Sequence, residues 1–69
     1  MGVMITLNGK KEEVEPGVTI SKLLEVKKIR PEVVTIELNE NIIGRSRYGE
    51  LLLKAGDRLE FVYYMGGGN

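Results

Sequence analysis

Cysteine and histidine are both missing from this chain of 69 residues, and their absence removes a large part of enzyme chemistry. No disulfide framework can staple the fold, and no thiolate can act as nucleophile or metal ligand. Without an imidazole, the usual zinc sites, Ser-His and Cys-His nucleophiles and acid/base relays near neutral pH cannot be assembled. The chain therefore reads as a protein that is not an enzyme and holds no metal. Net charge is lacking too: 10 basic residues balance 10 acidic ones, so no global field draws the protein onto nucleic acid or anionic lipid. No apolar run approaches the roughly 20 residues that span a bilayer, and the N-terminus lacks the charged-then-apolar order of a signal peptide. These absences predict a cytoplasmic protein that meets neither nucleic acid nor membrane. The length allows one domain with one modest core.

What is present is a succession of short periodic segments. Val3, Ile5 and Leu7 alternate with polar positions as a first strand, and Asn8-Gly9 supplies the left-handed backbone of a tight hairpin turn. Residues 11–15 return with Val14 as the one apolar side chain, which fits a charged edge strand; its glutamates read as solvated edge, not as paired catalytic carboxylates. After the break at Pro16-Gly17, Thr19 is placed to cap a helix over residues 20–28, with Val18 and Leu23 at the staple positions. Ile20, Leu23 and Leu24 form its apolar stripe, Lys27 and Lys28 suit its negative end, and Pro31 stops it. Residues 33–38 alternate as a strand with Val34, Ile36 and Leu38 inward, and Ile42-Ile43 make a stubby fourth strand. Over residues 45–53 the pattern weakens to a loop with a short helical turn, tucking Tyr48, Leu51 and Leu52 beneath it. Residues 54–57 turn the chain, and residues 58–64 form the last strand, with Leu59, Phe61 and Tyr63 on the core face.

One helix and a mixed sheet predict a two-layer α+β fold with the helix on one sheet face. Residues 1–65 form the domain and residues 66–69 a flexible tail. The outer face of the last strand carries Val62 and Tyr64 where a solvated strand would carry charges, which marks a docking surface. Val33 and Thr35 of the neighbouring strand extend it, and Met65 and Gly66 continue it toward the end of the chain. Gly66, Gly67 and Gly68 have no side chain to bury, and a backbone without Cβ suits a narrow slot in another protein.

Order and spacing together resemble the ubiquitin-like β-grasp sulfur carriers of the ThiS/MoaD family. The resemblance runs through Ile5-Thr6-Leu7-Asn8-Gly9, then Pro16-Gly17-Val18-Thr19-Ile20 with Leu23-Leu24, then Leu38-Asn39-Glu40-Asn41-Ile42-Ile43, and finally Gly56-Asp57-Arg58-Leu59 and Gly67-Gly68. It implies a β-grasp fold whose four- to five-stranded mixed sheet packs on the helix, and a protein that is substrate and carrier. A ThiF-type enzyme, using ATP and Mg²⁺ that this chain does not itself bind, would adenylate the terminal glycine. A persulfide donor would then displace AMP, and the thiocarboxylate on Gly67-Gly68 would supply thiazole synthase in thiamine biosynthesis. The residue chemistry agrees: a carboxylate is a poor electrophile and needs activation, and the glycines here match no phosphate-binding loop.

One residue departs from the family pattern, which ends on the second paired glycine. Asn69 follows Gly68, so Gly68 carries an amide carbonyl: either a peptidase removes Asn69 before activation, or the chain that keeps it is a latent precursor. Molybdopterin synthesis, another sulfur pathway, protein modification through an isopeptide bond and a plain interaction module all remain compatible with the sequence.

Overall fold

The computed structural model describes residues 2–63, and the elements follow the expected order. They are β1 (Val3–Leu7), β2 (Lys10–Val14), α1 (Ile20–Lys27), a 3₁₀ turn (Pro31–Val33), β3 (Val34–Leu38), β4 (Asn41–Ile43), a second 3₁₀ turn (Arg45–Arg47) and β5 (Arg58–Tyr63). The strands form one mixed sheet in the order β2-β1-β5-β3-β4. β5 is central, parallel to β1 and antiparallel to β3. Thus the last strand in sequence lies in the middle of the sheet, the arrangement implied by the β-grasp resemblance.

Local chemistry sets the turns. Asn8 and Gly9 both take positive φ, 50° and 83°, as a type I′ hairpin requires, and Asn39 and Glu40 do the same between β3 and β4 at 51° and 74°. The Thr19 hydroxyl accepts from the Lys22 amide at 3.1 Å and caps α1. At the other end Lys28 adopts the left-handed conformation. Its amide donates to the Glu25 carbonyl and the Ile29 amide to the Leu24 carbonyl, which closes a Schellman motif. Ile29 then packs against the core, as its position after the helix predicts.

Ile20, Leu23 and Leu24 of α1 meet Ile5, Val34, Ile36, Leu59 and Phe61 of the sheet. Five of these side chains are essentially sealed from water: Ile5, Ile20, Leu24, Ile36 and Leu59. Each fully buried side chain of this kind contributes roughly 1.5–3 kcal/mol, so this layer is a main source of the domain's stability. β2 is an edge strand as expected, and Glu12 on it takes an ion pair from Lys27 of the helix at 2.7 Å.

Five expectations need correction. β2 and α1 each sit one residue from their expected bounds, because the hairpin closes at Lys10 and Lys28 leaves the helix. Val33 is not a strand residue: Pro31 opens a 3₁₀ turn in which the Val33 amide reaches the Arg30 carbonyl, and β3 starts at Val34. Leu52 is exposed while Leu53 is buried. The bridge between Thr19 and Leu52, with the Leu53 amide on the Val18 carbonyl at 2.8 Å, gives this stretch a strand-like alternation that turns Leu53 inward. Tyr63 has the core-side parity of Leu59 and Phe61 but stays 42 % exposed, since β5 runs on past the end of β1 at Leu7. Tyr48 and Leu51 are tucked in as expected.

Candidate functional site

The site is built around β5, the strand that leads into the glycine segment. Its first residues are fixed by a polar knot. The buried Asp57 carboxylate accepts from the Lys54 amide at 2.8 Å and from the Asn39 carboxamide at 3.1 Å, and Asn39 in turn accepts from the Arg58 amide at 2.9 Å. Farther along, β1 has ended, and the Asn8 side chain takes over its role. The Asn8 Oδ1 accepts from the Phe61 amide at 2.7 Å, and Nδ2 donates to the Phe61 carbonyl at 3.5 Å. A side chain thus extends the parallel ladder to within a few residues of the glycines.

Antiparallel register decides which residues share the outer face. Val62 lies directly opposite Thr35, Glu60 opposite Glu37, and Glu37 opposite Ile42. Directly opposed residues project from the same side of a sheet, so Val62, Thr35, Glu60, Glu37 and Ile42 form one surface, on the side away from α1. Val62 is 49 % exposed and Ile42 71 %. Met4 projects from the same face at the opposite end of the strands, while the exposed Val26 belongs to the helix.

Of the sequence-predicted docking residues, the structure brings Val62 and Thr35 together, with Thr35 half-buried. Val33 is exposed on the 3₁₀ turn just before β3 and does not extend the strand. Tyr64, Met65, Gly66, Gly67, Gly68 and Asn69 lie outside the described residues. The sequence marks Asn8 as a turn residue only; its partner is 53 positions away in sequence, and no local pattern signals such a bond. Glu37 and Glu60 were equally hidden, since facing each other is a consequence of register. Among the described residues no group of three or more Asp or Glu side chains is arranged to hold a metal ion, and no helix is long and apolar enough to cross a membrane.

The ThiS family profile matches residues 2–68, nearly the whole chain. The chain belongs to the ThiS family. Its similarity to the sulfur carrier protein ThiS of Bacillus subtilis is 40 % identity, covering 94 % of this chain and 100 % of that protein. A crystal structure of the thiamine biosynthesis protein ThiS from Geobacter metallireducens superposes with a TM-score of 0.82 at 36 % identity, over 96 % of this chain and 100 % of that one. The chain is also 38 % identical to part of a protein named thiazole synthase from Magnetococcus marinus; there it covers 93 % of this chain but spans only 20 % of the relative's length. The chain thus shares both the family and the β-grasp fold of these ThiS proteins.

Proposed function

We propose that this ThiS-family chain is the cytoplasmic sulfur carrier of thiamine biosynthesis, with the sulfur riding on Gly68 as a thiocarboxylate. The observation that carries this reading is the full-length match to a sulfur carrier protein, together with Gly67-Gly68 in the sequence shortly after the central strand. In the first step a Gly68 carboxylate oxygen attacks the α-phosphorus of ATP within a ThiF-type enzyme, and pyrophosphate leaves. In the second the terminal sulfur of a persulfide attacks the acyl carbon and AMP departs with one of the former carboxylate oxygens. A thiol then cleaves the resulting acyl persulfide at its S–S bond, leaving the thiocarboxylate and a disulfide. The enzyme supplies Mg²⁺ and the cationic groups that stabilise the phosphoryl transition state. This chain supplies a terminus thin enough to reach them.

Thiazole synthase is the proposed acceptor, since a region like this chain occupies a fifth of a protein bearing that name. The docking surface is Val62 with Thr35, flanked by Val33 and by Tyr64, Met65 and Gly66 of the sequence. Apolar exposure at Val62, on a strand whose other face is core, supports this assignment. Release of Asn69 by a peptidase precedes activation. Carrier-dependent pyrophosphate release tests the first step: a chain ending at Gly68, mixed with ATP, Mg²⁺ and the ThiF-type enzyme of the same organism, should release pyrophosphate. No release above the enzyme alone would refute the assignment.

A further inference from the structure

The outer sheet face contains a pairing that stability alone does not account for. Glu37 on β3 and Glu60 on β5 sit directly opposite one another. Like charges in that relation destabilise a sheet. Neither carboxylate takes part in an ion pair or side-chain hydrogen bond among the described residues. The cation nearest in register, Arg58, points its guanidinium to Glu40 at 2.8 Å. The four side chains, together with Thr6, Gly9 and Leu59, line a hollow of about 350 Å³. Three carboxylates against one guanidinium leave this hollow two negative charges in excess on a chain whose overall charge is zero. Two exposed apolar side chains flank it: Ile42 directly beside Glu37, and Val62 two residues beyond Glu60.

We infer that the Glu37–Glu60 pair is the charged half of the docking surface and receives an arginine side chain of the adenylating enzyme. This deepens the docking assignment made above and rests on it. The surface is continuous with Val62 and Thr35, and its charge complements a cation. A planar guanidinium presents donors on several edges and can bridge two carboxylates, which an ammonium meets only as a point charge. The aliphatic stem of the arginine lies along Ile42 and Val62, as long cationic side chains do on apolar surface. Repulsion between the two glutamates in the free carrier is then relieved on binding, so the pair favours the complex at the expense of the free fold.

That trade gives the test an opposed pair of signs. In the Glu37→Gln/Glu60→Gln variant, a change that keeps shape and removes charge, the melting temperature should rise by roughly 2–5 °C. The association rate with the ThiF-type enzyme should fall about tenfold at low salt, with the gap closing as salt is raised. Glu37→Lys/Glu60→Lys should abolish measurable association while the fold persists. An unchanged association rate and salt dependence in the Gln variant would overturn the inference, as would tighter binding, which would mean that the face meets an acidic surface. Wild-type chain ending at Gly68 runs beside them. Failure of that control to react with the enzyme refutes the carrier assignment itself, whereas a reactive control with indifferent Gln variants refutes the arginine contact alone.

Discussion

Removing the Asn8 carboxamide should loosen Phe61, the β5 residue held by a side chain on the side where β1 has ended, and two substitutions separate the two things Asn8 does. Asn8 sits at φ 50° in the hairpin turn, and its side chain bonds both backbone groups of Phe61. Asn8→Gly keeps the left-handed turn at no steric cost but deletes the side chain. The bond at 2.7 Å has good length and is partly buried, while the one at 3.5 Å is at the edge of what counts as a hydrogen bond. The main loss is therefore one acceptor for the Phe61 amide, worth about 1–2 kcal/mol in a site that water reaches in part. Asn8→Ala loses the same bonds and adds a left-handed alanine at roughly 1–2 kcal/mol, for a total near 3 kcal/mol. In a domain of this size each kcal/mol shifts the midpoint by about 4–8 °C, so the glycine variant should melt roughly 5–15 °C lower and the alanine variant lower again. Urea unfolding measures the free energies, and amide exchange at Phe61 reads the local effect. A glycine variant within about 0.5 kcal/mol of wild type, with Phe61 exchange unchanged, would refute the role of Asn8 as an extension of β1.

Three further outcomes follow from the geometry. Asp57→Ala removes the acceptor of two hydrogen bonds to a buried carboxylate, so urea unfolding should show a loss of about 2–4 kcal/mol, and Asp57→Asn, which can satisfy only one donor, an intermediate loss. Lys28→Gly relieves a left-handed lysine at φ 61° and should stabilise by about 0.5–1 kcal/mol, less than the full steric term because glycine also frees the unfolded chain; thermal melting reads the sign. Val62→Asp places a charge on an exposed apolar position, and titration calorimetry with the adenylating enzyme should show a loss of more than about 2 kcal/mol of binding with the fold intact.

The elements legible in the sequence were those written in local chemistry. Asn8-Gly9, the Thr19 cap and the Ile20, Leu23, Leu24 stripe each carry their structure within a few residues, and all are found as expected. Segment 45–53 has no such period, because its shape is set from outside by the Ser21 amide on the Tyr48 carbonyl and by Thr19 opposite Leu52; hence Leu52 and Leu53 exchanged places. The start of β3 was displaced because Pro31 fits a 3₁₀ turn as well as a helix stop. For the site, exposure at Val62 was legible from alternation. The Glu37–Glu60 apposition and the Asn8 clamp depend on which strands neighbour β5, and that follows from topology.

The carrier assignment is tested most directly by the intact mass of two chains, one ending at Gly68 and one retaining Asn69. Each is incubated with ATP, Mg²⁺, the ThiF-type enzyme, a persulfide donor and a thiol. Glycine-rich backbone offers a peptidase little to unfold, so both chains are prepared and kept free of peptidase. The chain ending at Gly68 should gain the mass difference of one oxygen replaced by one sulfur, and the chain retaining Asn69 should remain unchanged until that residue is removed. Sulfur acquired by the untrimmed chain at its own terminal carboxylate would contradict the glycine-specific chemistry, and no mass change in the Gly68 chain would contradict the carrier function.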